Sequence, residues 1–266
     1  MSSIENYSLT GRRALVCGST QGIGKACAER FAVLGAEVIL VARSAEALTN
    51  VCAKLPAEQG QNHDVVCVDF SEPEQVQKSV AEKLASVGDV QILLNNTGGP
   101  PPGEIIDAAP EDFLRAYRMH LIGNQLLLQT VLPDMKQAGY GRVINIISTS
   151  VKEPIPGLGV SNTTRWAVAA WAKTVSREVA SFGITVNNVL PGFTDTARLR
   201  SLITSRANGR GVAEDVIRDE MFAGIPSGRF GEAEEVAAAA GFLASPAASY
   251  INGINLPVDG GRLATI

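Results

Sequence analysis

The chain is poor in charge, in aromatic rings and in cysteine, and each shortage narrows what it can be. Of its 266 residues 19% are charged and 5% aromatic, while 45% are hydrophobic. That charge fraction is below the roughly 25% of an ordinary soluble domain, so a large apolar core is available and disorder is excluded. No basic block occurs, and 23 Lys+Arg against 27 Asp+Glu leave a formal charge of -4. Nothing here could neutralise a phosphate backbone, so nucleic acid is not an expected partner. Cys17, Cys27, Cys52 and Cys67 form no CxxC pair and have no histidine at ligand spacing. They read as buried free thiols in a reducing compartment, and no metal site is expected. The opening MSSIENYSLTGRR lacks the apolar run of a signal peptide, and the C-terminus shows no lipidation tail, which favours the cytoplasm. The longest uncharged run, 236–258, is broken by Pro246, Asn252, Gly253, Asn255 and Pro257, so it predicts a helix and a strand rather than a membrane span.

What the chain does have is alternation. Short β-branched apolar runs at 14–17, 38–41, 65–68, 92–94, 143–147, 184–189 and 254–258 read as buried parallel strands. Helical spacing lies between them at 22–34, 45–55, 73–87, 111–138, 160–182 and 232–244. One α/β domain over 1–266 is expected, a Rossmann-type doubly wound parallel sheet with helices on both faces. Its ligand should lie beyond the carboxyl ends of the strands. The polar stretch 194–227 interrupts the alternation and reads as a lid over that site. Its first half carries Arg198, Arg200, Arg206 and Arg210, its second Glu214, Asp215, Asp219 and Glu220 against Arg218. Such charges suit a solvated helical flap that pairs them internally; an anion-binding lid is the alternative.

After the first strand, Gly18-Ser19-Thr20-Gln21-Gly22-Ile23-Gly24 opens a helix. Glycines there let backbone approach a pyrophosphate, which the free N–H groups of a helix start stabilise. A guanidinium follows the second strand, in Arg43-Ser44. Arg43 suits a 2′-phosphate and Ser44 adds a hydroxyl donor, so NADP is favoured over NAD.

The G-x-x-x-G-x-G spacing resembles the short-chain dehydrogenase/reductase family. Asn95-Asn96-Thr97-Gly98, the 141–148 segment ending in Ser148, Pro191-Gly192-Phe193-Thr194-Asp195-Thr196, Gly228-Arg229-Phe230-Gly231 and Val258-Asp259-Gly260-Gly261 are each similar to its motifs, in order. The resemblance implies that Asp69 and Phe70 contact adenine. It implies likewise that Asn96 and Gly98 border the cofactor, and that Pro191, Gly192, Thr194 and Thr196 hold the nicotinamide. It also implies a catalytic Asn, Ser, Tyr and Lys. Only Ser148 is retained: His120, Ser161 and Arg165 stand at the Asn, Tyr and Lys positions. A divergent branch similar to 3-oxoacyl-carrier-protein reductases, lacking Tyr-x-x-x-Lys, carries a comparable Ser-Asn-x-x-Arg segment and a Gly98-Gly99-Pro100-Pro101-Pro102-Gly103 loop.

An alkyl hydroxyl is far less acidic than a phenol, and arginine does not exchange its proton at working pH. The proton donor is therefore open. His120 could act through a water or merely pack between helices. Lys152 reads as an exposed loop residue and Tyr117 as core. Arg165 could bind the nicotinamide ribose and stabilise an oxyanion. Trp166 and Trp171 read as packing or subunit-interface residues, since the family associates through this helix and the one before it; a homodimer or homotetramer is expected. An NADP-dependent oxidoreductase acting on a small carbonyl or secondary alcohol follows, with a catalytically degenerate nucleotide-binding homologue as the alternative.

Overall fold

The β-branched runs become seven strands in one parallel sheet: β1 (Arg13–Cys17), β2 (Glu37–Ala42), β3 (Asp64–Cys67), β4 (Ile92–Asn95), β5 (Gly141–Ile146), β6 (Ile184–Pro191) and β7 (Asn255–Val258). This computed structural model describes residues 5–265; residues 1–4 of the N-terminal stretch and Ile266 lie outside them. The strand order is β3-β2-β1-β4-β5-β6-β7, so the chain reverses direction across the sheet between β1 and β4. A crevice opens at that switch, beyond the carboxyl ends of the two strands.

Helices α1 (Gly22–Val33), α2 (Ala45–Cys52), α3 (Pro73–Val87), α4 (Pro110–Tyr117), α5 (Gly123–Ala138), α6 (Gly159–Val179), α7 (Ala197–Arg210), α8 (Glu214–Ala223) and α9 (Ala233–Ala244) complete the fold. Alternate strand residues serve opposite faces. Ala14 and Val16 of β1 pack with Phe31 of α1 and Val236 and Ala240 of α9. Leu15 and Cys17 pack with Val76 of α3, Val131 of α5 and Ala172 of α6. Both sets are buried, which is why the central strands read as continuous apolar runs rather than alternating ones. Each fully buried Leu or Phe contributes about 1.5–3 kcal/mol of transfer free energy.

Several expectations need correction. The helix expected over 111–138 is two helices joined by a π turn, Arg118–Ile122, in which the Gly123 N–H bonds the Arg118 carbonyl. The helices on either side of the turn each keep helical spacing, so the pattern reads as one continuous helix. The helix at 45–55 stops at Cys52, and the one at 160–182 finishes as a 3-10 turn, Ala180–Phe182. The cysteines are free but not uniformly buried: Cys17 and Cys27 are buried, Cys52 is half-buried and Cys67 exposed. β3 is an edge strand, and Cys67 at its end is paired with β2 on one side only. Tyr117 is half-buried rather than core. The 194–227 stretch folds as α7 and α8 around an apolar cluster of its own, with Leu199, Ile203, Ile217 and Met221. Among the described residues no helix is long and apolar enough to cross a membrane.

Candidate active site

At the end of β1 the chain turns at Gly18 (φ 60°) and enters α1 at Gly22 (φ 52°). The turn is held from across the crevice, where Asn96 Nδ2 donates to the carbonyls of Cys17 (3.2 Å) and Gly18 (3.3 Å). A Cβ on Gly24 would lie 2.1 Å from the Gly18 carbonyl oxygen, so only glycine permits this close crossing. The side chain of Gln21, at the N-cap of α1, makes no capping hydrogen bond, which leaves the first-turn N–H groups available to an anion. Ser19 is fully buried and its hydroxyl donates to the Val41 carbonyl, so it faces the sheet; Thr20 and Ile23 are half-buried. Of the residues expected to line this turn, Ser19 therefore offers backbone alone.

Arg43 and Ser44 are exposed at the end of β2. The Ser44 oxygen accepts from Ala47 N–H (3.3 Å) and caps α2, while its O–H stays able to donate. Asp69 accepts from Ser71 N–H (2.9 Å), and this bond, with the Arg43 charge assisting, holds its carboxyl below the usual range. Phe70 packs half-buried on the core, and Gly98 is exposed. Pro191 ends β6; Gly192 donates to the Val258 carbonyl (2.9 Å). Thr194 is buried, and Thr196 caps α7, accepting from Leu199 N–H (3.4 Å). Thr196 Cγ2 would lie 3.3 Å from a Cβ on Gly22, so the start of α7 stands directly over the glycine turn.

The catalytic candidates gather at the same edge. Ser148 follows β5, half-buried, its oxygen accepting from Ser150 N–H (3.0 Å), which leaves the hydroxyl proton free to donate. Arg165 on α6 is 9% exposed and donates to the Ile146 carbonyl (3.2 Å), two residues before Ser148. Burial, with the nearby Arg198 charge, lowers it to about 10, so it stays cationic at neutral pH. Ser161 lies one turn earlier, half-buried, and is without a hydrogen-bond partner among the described residues. Asn162 braces the intervening loop, donating to the Ile155 carbonyl (2.9 Å) and accepting from its N–H (3.3 Å). Trp166, 49% exposed, donates to the Ser150 carbonyl, and Trp171 to Gln125 Oε1. Lys152 is half-buried.

His120 lies in the π turn, 2% exposed, its Nδ1 hydrogen-bonded to the Thr97 hydroxyl at 2.6 Å. Its Nε2 is buried without a partner among the described residues. Burial, and then the charge of Arg165, hold the imidazole well below 6.5. It is neutral at physiological pH. Since the unfolded chain takes up a proton here near 6.5 and the native state does not, stability is complete above that pH and falls as pH drops below it. The melting temperature followed between pH ~7 and ~5 should decline, and His120→Asn should flatten that decline. An unchanged slope in the variant would show that His120 does not set it.

The sequence reading missed Thr97 as the partner of His120, which a hydroxyl where the resembled turn has alanine could have signalled. It also missed Arg262, a lone cation after the Gly260-Gly261 pair, which donates to Thr149 Oγ1 (3.2 Å). Arg198 reaches the Pro100 carbonyl (2.6 Å) and Arg206 the Pro156 carbonyl (3.3 Å), so α7 is tied to the loops after β4 and β5. The internally paired flap is borne out only in part: Arg210 pairs with Glu220 (2.8 Å) and Arg200 with Asp195 (3.5 Å), whereas Arg198 and Arg206 have no acid at ion-pair distance among the described residues.

The family described as Enoyl-(Acyl carrier protein) reductase matches residues 18–262, nearly the whole of this architecture. The chain belongs to the short-chain dehydrogenase/reductase family. This short-chain dehydrogenase/reductase is 33% identical over 259 residues to the 3-oxoacyl-[acyl-carrier-protein] reductase FabG of Pseudomonas aeruginosa, covering 96% of this chain and 98% of that protein. It is 29% identical over 259 residues to the NADPH-dependent reductase BacG of Bacillus subtilis, covering 97% and 100%. Among solved structures it resembles L-sorbose reductase from Gluconobacter frateurii in complex with NADPH and L-sorbose, with a TM-score of 0.91, 30% identity and coverage of 98% and 100%.

Proposed function

We propose that the chain is an NADP(H)-dependent oxidoreductase that interconverts a carbonyl compound and a secondary alcohol. Its main support is one arrangement: the glycine turn, Arg43, Ser148 and Arg165 all stand at the carboxyl edge of one parallel sheet, beside the switch point. The residues present fit the cofactor, because α1 begins with uncapped N–H groups and the turn before it has no room for side chains at Gly18 or Gly24. NADPH, when bound, supplies the hydride for the carbonyl carbon. The backbone of Gly18, Ser19, Thr20, Gly22, Ile23 and Gly24 cradles the pyrophosphate, and Arg43 and Ser44 take the 2′-phosphate, favouring NADP over NAD. Asp69 and Phe70 border the adenine; Asn96 and Gly98 shape the crevice floor, and Pro191, Gly192, Thr194 and Thr196 its nicotinamide side. Ser148 donates its free proton to the substrate oxygen, and Arg165 stabilises the negative charge that grows there. The proton that oxygen finally keeps comes from solvent, through a water held by His120 Nε2.

The 194–227 segment acts as the lid of a single domain spanning 1–266, and the chain assembles as a dimer or tetramer through α4, α5 and α6, in the cytoplasm. NADPH oxidation against ketones, diketones and 3-oxoacyl thioesters tests the activity. Turnover of at least one of them, with Ser148→Ala slower by about two powers of ten or more, is the expected outcome. A nucleotide-binding role without hydride transfer is the second reading, favoured by Ser161 and Arg165 standing where the family's Tyr and Lys belong. Tight NADPH binding with no turnover on any substrate would establish it.

A further inference from the structure

Four guanidiniums stand in two pairs between α7 and the loops that follow β4, β5 and β7: Arg165 beside Arg198, and Arg206 beside Arg262. Arg165 and Arg198 meet at the loop after β4, where a Cβ on Gly99 would stand 3.9 Å and 3.6 Å from their Nη2 atoms. Arg262 donates to Thr149, the neighbour of Ser148, and its guanidinium stacks 4.8 Å from the Phe193 ring. Arg206 reaches the Pro156 carbonyl from the opposite wall. Arg165 is buried, Arg206 and Arg262 are half-buried and Arg198 is exposed; among the described residues none of the four has a carboxylate at ion-pair distance, although the Glu220 charge reaches Arg206. Acids are at hand: Arg200 and Arg210 of the same helix are paired with Asp195 and Glu220. Burial and a neighbouring guanidinium both lower the proton affinity of Arg165 and of Arg206, so an anion placed beside either pair is favoured.

Beneath α7 and α8 lies a cavity of about 340 Å³ with Arg206 and Arg262 on its polar side and Phe193, Ile217 and Met221 on its apolar side. Glu220, the acid at its rim, is already held by both Nη atoms of Arg210. Two unpaired planar forks beside an apolar wall suit an oxyanion carried on a short carbon body.

We propose that the substrate carries an oxyanion, a carboxylate or a phosphate, which Arg206 and Arg262 hold while its carbonyl faces Ser148. The carbonyl part rests on the reductase reading above; anion capture by these arginines does not. With NADP⁺-saturated protein, calorimetric titration of malonate and of glycerol 2-phosphate should show binding of at least one. Arg206→Ala and Arg262→Ala should each weaken it about tenfold or more, the loss of one charge-assisted contact. Arg200→Ala should leave it unchanged, and Arg206→Lys and Arg262→Lys should restore part of it. NADPH oxidation should favour acetoacetate over methyl acetoacetate, or dihydroxyacetone phosphate over dihydroxyacetone; the pair that separates distinguishes carboxylate from phosphate. Arginine-dependent anion binding without any turnover would keep this inference and overturn the reductase reading. Equal turnover of charged and neutral ketones with no anion binding would do the reverse. Anion binding indifferent to both arginines, or variants that lose NADPH instead of the anion, would overturn the inference, and a protein that neither binds the anions nor reduces a ketone would overturn both.

Discussion

Gly24→Ala is expected to weaken NADPH binding by two powers of ten or more and to lower the melting temperature by about 4–10 °C. The added methyl would stand 2.1 Å from the Gly18 carbonyl oxygen and 2.6 Å from Asn96 Nδ2. The first is backbone and the second is fixed by its bonds to Cys17 and Gly18, so neither yields without opening the turn. Opening it moves the first-turn N–H groups of α1 away from the pyrophosphate, and the crevice loses its anchor between β1 and β4. Gly209→Ala provides the control: it sits in α7 with nothing within 4 Å of the added carbon, so stability should hold or rise slightly. Fluorescence titration and thermal unfolding read both effects. A Gly24→Ala protein that binds NADPH as the parent does would show that the glycine turn is not the cofactor site.

Arg43→Asp should weaken NADPH by about one to two powers of ten while leaving NADH nearly unaffected, since one charge-assisted contact to the 2′-phosphate contributes roughly 1.5–3 kcal/mol. The substitution acts twice. It removes the cation that faces Asp69, and it sets two carboxylates where a phosphate must enter. The guanidinium is exposed and has no ion pair among the described residues, so its loss should leave the fold undisturbed. Equal affinities for NADPH and NADH in the parent protein would remove the basis for this expectation.

The sheet was legible because its central strands are buried on both faces, and such strands write themselves as unbroken β-branched runs. Gly18, Gly22 and Gly24 were legible for a different reason, since a backbone crossing this tight admits no other residue. The π turn was not, because the helices before and after it each keep helical spacing and together read as one. His120 is buried there against Thr97, a contact between residues 23 apart that no local pattern encodes. The 194–227 stretch looked polar because charged residues are interspersed throughout its apolar ones. Yet Leu199, Ile203, Ile217 and Met221 are spaced to meet only when α7 folds onto α8. Arg198 and Arg206 were visible as cations, but their lack of acidic partners is a property of the folded loops around Pro100 and Pro156. Cys67 seemed buried from its strand and is exposed because β3 is an edge, which depends on strand order rather than composition.

Hydride transfer itself is the central claim, and NADPH deuterated at C4 of the nicotinamide tests it most directly. Incubated with the parent protein and the ketone panel, it should deliver deuterium to the carbinol carbon of at least one product, detected by mass spectrometry. Bound, undepleted cofactor and unlabelled ketones throughout the panel would contradict the account.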